Sequence, residues 1–214
     1  MGLVAVVDYG MGNLRSVSRA LESAGGSGRV RITSDADEVR RAERVVFPGV
    51  GAIRDCMSEL QRLELVEVLR ESARSKPFLG VCLGMQALLS RSEENAGTEA
   101  LDILPGEVRR FPADRQDPEG RRLKVPHMGW NQVHQVQDHP LWADIPDRSW
   151  FYFVHSYYVA PERDKWVAGQ TEYGLTFASA LARGNVFATQ FHPEKSQRPG
   201  LILLGNFLRW DGSE

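Results

Sequence analysis

Short apolar runs alternate with longer amphipathic stretches through the first half of the chain. Residues 3–7, 30–33, 45–47 and 77–81 are short and largely apolar, with Arg31 the one charged position, and are followed by turn-forming residues. That pattern predicts buried strands. Between them, apolar positions recur at helical spacing, as in Leu14-Val17-Ser18-Leu21 and Leu60-Leu63-Val66-Leu69. Strands alternating with helices predict parallel βαβ units with right-handed crossovers and a sheet covered on both faces.

The second half reads differently. From residue 106 to 181 the pattern is strand-like, with aromatic runs such as Trp150-Phe151-Tyr152-Phe153. Turn residues recur through it, which predicts antiparallel ribbons at one edge of the sheet. Residues 186–190 read as a return to the central sheet and 201–210 as a closing helix. Residues 24–28 and 113–122 read as loops, the second a solvated one of mixed charge. The expected fold class is α/β: an open, mostly parallel twisted sheet with helices on both faces and antiparallel strands at one edge.

Composition narrows the function classes. The 214 residues fit a single domain spanning 1–214. A net charge of −2 argues against a protein that works by attraction to a nucleic-acid backbone. No apolar run is long enough to span a bilayer, and residues 3–7 are too short for a signal-peptide core. Two cysteines, Cys56 and Cys82, make no disulfide framework, so a reducing cytoplasm is expected. Cys56 lies on an apolar stripe of helical period within residues 52–57 and reads as a buried, inert side chain. No metal or cofactor is expected.

Cys82 sits differently. In Phe78-Leu79-Gly80-Val81-Cys82-Leu83-Gly84-Met85-Gln86, a strand runs into Gly-x-Cys-x-Gly and then a helical pattern. This is the thiol form of the nucleophile elbow. Flanking glycines let strand and helix approach around a cramped turn. The central side chain is then presented at the carboxyl edge of the sheet, at a helix N-terminus that favours an anion. A structural cysteine between packing glycines is the plainer reading of this segment alone.

A cysteine nucleophile needs a base, and the base needs an orienting group. Of the five histidines, His192 follows the apolar run 186–191 and precedes Pro193-Glu194. Residues two apart on extended chain point the same way. Glu194 can therefore reach Nδ1 of His192 while Nε2 faces the thiol. A third strand ends in Phe47-Pro48-Gly49-Val50-Gly51, whose backbone N–H groups, with that of Leu83, could form an oxyanion hole. A phosphate cradle is disfavoured there, because the P-loop Lys-Ser/Thr and the G-x-G-x-x-G spacing are both missing.

Together the elbow, the Pro-Gly-x-Gly turn and the His-Pro-Glu resemble the class I (triad) glutamine amidotransferases. Further segments bring the resemblance closer to members that feed ammonia to a cyclase in histidine biosynthesis. They are Asp8–Asn13, Lys124–Asn131, Tyr152–Tyr158 and Phe191–Ser196. The resemblance implies a flavodoxin-like fold and hydrolysis of glutamine by Cys82, His192 and Glu194. It implies that Val50 and Leu83 supply the oxyanion N–H groups. Gly51, Gln86, His155, Ser156 and Tyr157 would hold the glutamine carboxylate and amino group. It further implies a separate (β/α)8-barrel cyclase subunit as heterodimer partner, met by Asn13, His127, Met128, Trp130, Tyr152 and Lys195. Other readings stay open: a class I glutaminase of another pathway, a cysteine hydrolase on the same scaffold, or a non-catalytic interaction module.

Overall fold

The computed structural model describes residues 2–117 and 119–213. In chain order its elements are β1 (Val4–Val7), α1 (Leu14–Leu21), β2 (Val30–Thr33), α2 (Ala36–Arg41), β3 (Arg44–Gly49), α3 (Ile53–Arg62), α4 (Leu65–Ser75), β4 (Phe78–Cys82) and α5 (Leu83–Ala87). There follow β5 (Arg91–Ser92), β6 (Thr98–Glu99), β7 (Gly106–Arg110), β8 (His127–Gln135), β9 (Ser149–His155), β10 (Tyr157–Pro161), β11 (Val167–Glu172), β12 (Thr176–Arg183), β13 (Val186–Thr189) and α6 (Gln197–Arg209).

The strands lie in the order β2-β1-β3-β4-β13-β12-β10-β7-β5-β6. From β2 to β13 every pairing is parallel, and from β13 through β12 and β10 to β7 the pairings are antiparallel. Alternation along the strands divides the core. On β1, Ala5 and Val7 belong to one apolar cluster, with Val39, Leu60, Leu65 and Leu69 of α2, α3 and α4. Val4 and Val6 belong to the other, with Val17 and Leu21 of α1 and Leu204 and Phe207 of α6. Every residue of β1, β4 and β13 is buried, as a parallel sheet covered on both faces requires. The sheet architecture matches the expectation.

Three local expectations need correction. The apolar period across Leu60, Leu63, Val66 and Leu69 is not one helix: α3 ends at Arg62 and Glu64 takes a left-handed conformation (φ 57°, ψ 28°) before α4 begins. The two helices present one shared apolar face to the sheet, so spacing alone does not reveal the break. Residues 24–28 are only partly loop, because α1 continues into one wide helical turn, Glu22–Gly26. The last helix begins at Gln197 rather than at 201. In the 113–122 segment, of which residue 118 lies outside the described residues, Asp117 accepts from the backbone and guanidinium of Arg121, and Arg115 lies over the Phe111 ring at 4.1 Å.

Among the described glycines, one with the least room for a side chain lies under the elbow. A Cβ added to Gly84 would sit 1.8 Å from the carbonyl oxygen of Phe47 on β3. That oxygen belongs to a central strand and has no freedom to retreat. Gly84→Ala should therefore lower folding stability by about 1–3 kcal/mol, the usual range for overpacking a rigid site. A urea unfolding midpoint unchanged from the parent would contradict this packing.

Candidate active site

Three adjacent parallel strands end at the same place. In register, Gly49 of β3 lies opposite Cys82 of β4, and Thr189 of β13 lies opposite Val81. The chain that leaves β13 through Gln190 and Phe191 therefore carries His192 to the elbow. Cys82 has φ 55° and ψ −110°, and α5 starts at the next residue. A left-handed, non-glycine residue between a strand and a helix is a strained turn held by its surroundings. It points the sulfur away from the sheet and into a cavity.

His192 and Glu194 have side chains only 3% and 2% exposed, with Nδ1 of the ring 2.8 Å from Oε1 of the carboxylate. The carboxylate accepts from Nδ1–H, which leaves Nε2 for the sulfur, as the spacing predicts. The backbone is pinned as well. His192 N donates to the Tyr152 carbonyl at 2.9 Å, and the Ser196 hydroxyl donates to the His192 carbonyl at 2.6 Å. Burial opposes a charge on the ring. The neighbouring Cys82 and Glu194 side chains outweigh it and raise the His192 pKa to about 10. The imidazole is thus held in its protonated form beside the sulfur.

The cavity measures about 410 Å³ and is lined by Val50, Gly51, Cys82, Leu83, Gln86, Glu94, Pro126, Val154, His155, Ser156, Tyr157 and His192. Every expected catalytic, oxyanion and substrate-binding residue except Glu194 lines it, and Glu194 stands directly behind His192. A wider surface groove, about 1040 Å³, lies between Ala24, Asp144 and Leu201 and has no cysteine or histidine in its walls.

The walls carry an ordered polar chain. Nε2 of Gln86 donates to the Tyr157 carbonyl at 3.2 Å and to Oε1 of Gln190 at 3.0 Å. With both protons used, only its carbonyl oxygen is left for a ligand. Nδ1–H of His155 donates to the same Tyr157 carbonyl at 2.8 Å. Nε2 of His155 then accepts from Nδ1–H of His127 at 2.9 Å. Both ring nitrogens of His155 are thus engaged inside the protein, and what it can offer a substrate is its main chain. Burial holds His155 down at about 3, with the His127, His192 and Arg115 charges adding to it. Burial and the Arg115 charge hold His127 at about 4.

The residues expected at a partner face separate into two groups. Asn13, Met128, Trp130 and Lys195 are exposed and Tyr152 is half-buried. His127 is only 3% exposed, stacked on Tyr173 at 3.9 Å, and so belongs to the interior rather than to that face. It begins β8, where sides alternate: His127 points in and Met128 points out. Glu94, Pro126 and Val154 line the cavity without having been expected there. Glu94 was hidden because it enters from a loop, where its carboxylate accepts from Ile53 N at 2.9 Å.

The chain matches the family model described as glutamine amidotransferase class-I over residues 5–209. It is 60% identical to the imidazole glycerol phosphate synthase subunit HisH of Pseudomonas putida over 212 residues, covering 99% of each chain. It is 61% identical to the protein of the same name from Nitrosococcus oceani, again with 99% of each covered. Among solved structures it resembles PurLQS from Thermotoga maritima, with TM-score 0.71, 16% identity and 97% and 98% of the two chains covered. It also resembles the glutaminase domain of Trypanosoma brucei CTPS, with TM-score 0.63, 18% identity and 99% and 95% covered. Those two likenesses speak to the fold.

Two measurements check the site. Burial pushes the Cys56 thiol up to about 12, whereas Cys82 faces the cavity. Iodoacetamide should label Cys82 at least about tenfold faster than Cys56, because the thiolate is the reacting form; equal rates by peptide mapping would contradict the geometry. The second is acid stability. Unfolded histidines gain protons near pH 6.5, while His127 and His155 stay neutral in the fold. Their contribution is complete above pH 6.5 and is lost as pH falls toward 4 and below. Tm should drop across that window, and His127→Gln should make the drop shallower. An identical slope in the variant would show that His127 is not held neutral.

Proposed function

The chain belongs to the class I glutamine amidotransferase family, and we propose that it acts as the glutaminase subunit of an imidazole glycerol phosphate synthase. In this role it hydrolyses glutamine to glutamate and ammonia. It passes the ammonia to a separate (β/α)8-barrel cyclase subunit, which makes imidazole glycerol phosphate and AICAR in histidine biosynthesis. The observation that carries the reading is the meeting of Cys82, His192 and Glu194 at one cavity, in a chain whose relatives of that name are aligned over nearly its full length.

The chemistry follows from the atoms present. The sulfur of Cys82 attacks the side-chain amide carbon of glutamine, and the carbonyl electrons move onto oxygen. Val50 and Leu83 border the cavity on either side of the sulfur, and their N–H groups receive that oxyanion. Such a donor is worth roughly a hundredfold or more in rate. As the oxyanion collapses, the C–N bond breaks and Nε2 of His192 gives its proton to the departing nitrogen, which leaves as ammonia. In the second half, water attacks the thioester carbon and yields a proton to His192. The C–S bond breaks with its electron pair on sulfur, and glutamate is released. Glu194 keeps the ring oriented throughout.

Recognition of the amino-acid end is assigned to the far wall. The Glu94 carboxylate and the free carbonyl oxygen of Gln86 suit the α-ammonium. No lysine or arginine borders the cavity among the described residues. The α-carboxylate is accordingly assigned to Gly51, Ser156 and Tyr157 through their N–H groups and the Ser156 hydroxyl.

The partner face is assigned to the outer side of the β8–β9 ribbon. Met128 pairs with Val154, Trp130 with Tyr152 and Gln132 with Trp150 across it. Met128 is 62% exposed, Trp130 44% and Trp150 53%, beside Val50 at 39%. An apolar stripe of this kind on an otherwise polar surface marks an interaction site. Lys195 holds its Nζ 5.7 Å above the Tyr152 ring at the edge of the stripe. Val154 belongs to both the stripe and the cavity wall, so ammonia has a short, apolar way out to a docked partner. Free in water at neutral pH it would be protonated and lose its nucleophilicity.

Mixing the chain with the cyclase subunit and its ribonucleotide substrate should raise glutamate release. Cys82→Ser should abolish glutamine-dependent cyclisation, a fall of at least about a thousandfold, and leave ammonia-dependent cyclisation in the complex intact. Loss of both activities would make Cys82 structural. No stimulation by the cyclase subunit would assign the chain to another glutaminase pathway.

A further inference from the structure

We propose that Gln190 is a further working residue of this site, whose side-chain amide donates to the sulfur of Cys82 and holds it in its attacking position. The proposal rests on the reading of Cys82 as nucleophile. Gln190 follows β13 directly and stands two residues before His192, so the strand that delivers the base also delivers this amide. It is fully buried, and its backbone N–H is pinned to the Ser179 carbonyl at 2.9 Å.

A primary amide in an apolar interior is unfavourable unless both of its ends are bonded. Here both are. Oε1 accepts from Nε2 of Gln86 at 3.0 Å, and Nε2 lies 3.8 Å from Sγ of Cys82, within range for an N–H···S bond. An apolar side chain of the same length would fill the space without needing either partner. The amide's presence is explained by what its N–H reaches.

The orientation follows from the neighbours. Gln86 must present Nε2 toward Gln190, because that same nitrogen donates to the Tyr157 carbonyl at 3.2 Å. Tyr157 O is in turn held by His155 at 2.8 Å, and His155 by His127 at 2.9 Å. Turning the Gln190 amide over would face donor with donor at Gln86 and a carbonyl oxygen with the sulfur. Gln190 is thereby locked with its N–H on the nucleophile. A hydrogen bond strengthens when its acceptor carries negative charge, so this one is strongest whenever the sulfur is in its reacting thiolate form. Held from two sides, the sulfur loses the freedom to rotate away from the substrate carbon.

Gln190→Met in the full-length chain, measured alone and with the cyclase subunit, separates this role from mere filling. The rate of Cys82 alkylation at pH 7 should fall about tenfold and its pH midpoint should rise. The glutaminase kcat should fall by a similar factor, with a smaller change in KM. A variant that melts lower but keeps the parental alkylation profile and kcat would overturn the proposal, because packing alone would then explain Gln190. Should the variant not fold, the parent protein labelled with 15N-glutamine gives a second test. The Gln190 side-chain amide resonances should titrate over the pH range of Cys82 alkylation and shift when Cys82 is alkylated; static resonances would overturn it. If instead Cys82 in the parent is no more reactive than Cys56, and its replacement by serine leaves glutaminase activity, the reading of Cys82 as nucleophile has itself failed; a parent with no glutaminase activity alone or with the cyclase subunit would overturn the proposed function.

Discussion

The close approach of α5 to β3 is the constraint on which the rest of the molecule depends. Gly84 lies against the Phe47 carbonyl, and the chain leaves β4 for that close-packed helix through a left-handed residue, Cys82. The same strand spacing sets Gly49 beside the sulfur on one flank and β13 on the other. Nucleophile, oxyanion turn and base therefore arrive from three parts of the sequence at one edge of one sheet. Strain at Cys82 is tolerated because buried strands on both sides leave it no alternative.

Electrostatics then completes what packing begins. His192 is buried, which alone would keep it neutral, yet Cys82 and Glu194 on its two sides make it basic. On the opposite wall the same burial acts without an acidic neighbour and keeps His155 and His127 neutral. One fold thus holds one histidine charged and two uncharged within a small volume. The neutral pair serves as a rigid donor–acceptor link, because a proton added to either ring would face donor with donor. That link begins on β8, whose outward residues Met128 and Trp130 form the proposed docking stripe. The strand that would meet a partner is bonded through its inner face to the walls of the catalytic cavity.

Much of this was legible in the sequence because it is local. The Gly-x-Cys-x-Gly turn, the His-Pro-Glu spacing and the apolar strands of the parallel half are each short patterns with one physical solution. What was not legible depends on pairs of residues far apart. The inward turn of His127 follows from strand alternation fixed by β9, not from its neighbours in sequence. Glu94 enters the cavity from a loop that carries no motif. The partner of Gln190 is set by β4 lying next to β13, a register that no stretch of either strand encodes alone. The break at Glu64 escaped because two helices in line, both facing the sheet, keep one apolar period.

The central claim is that a buried imidazole is kept charged by the sulfur beside it. The most direct measurement is the 15N chemical shift of the His192 ring in the folded protein, followed with pH and compared with Cys82→Ala. The account predicts a doubly protonated ring at pH 8 that loses its proton only near pH 10, and a ring that deprotonates at markedly lower pH once the sulfur is removed. A His192 ring already neutral at pH 8 in the parent, or one whose titration is indifferent to Cys82, would contradict it.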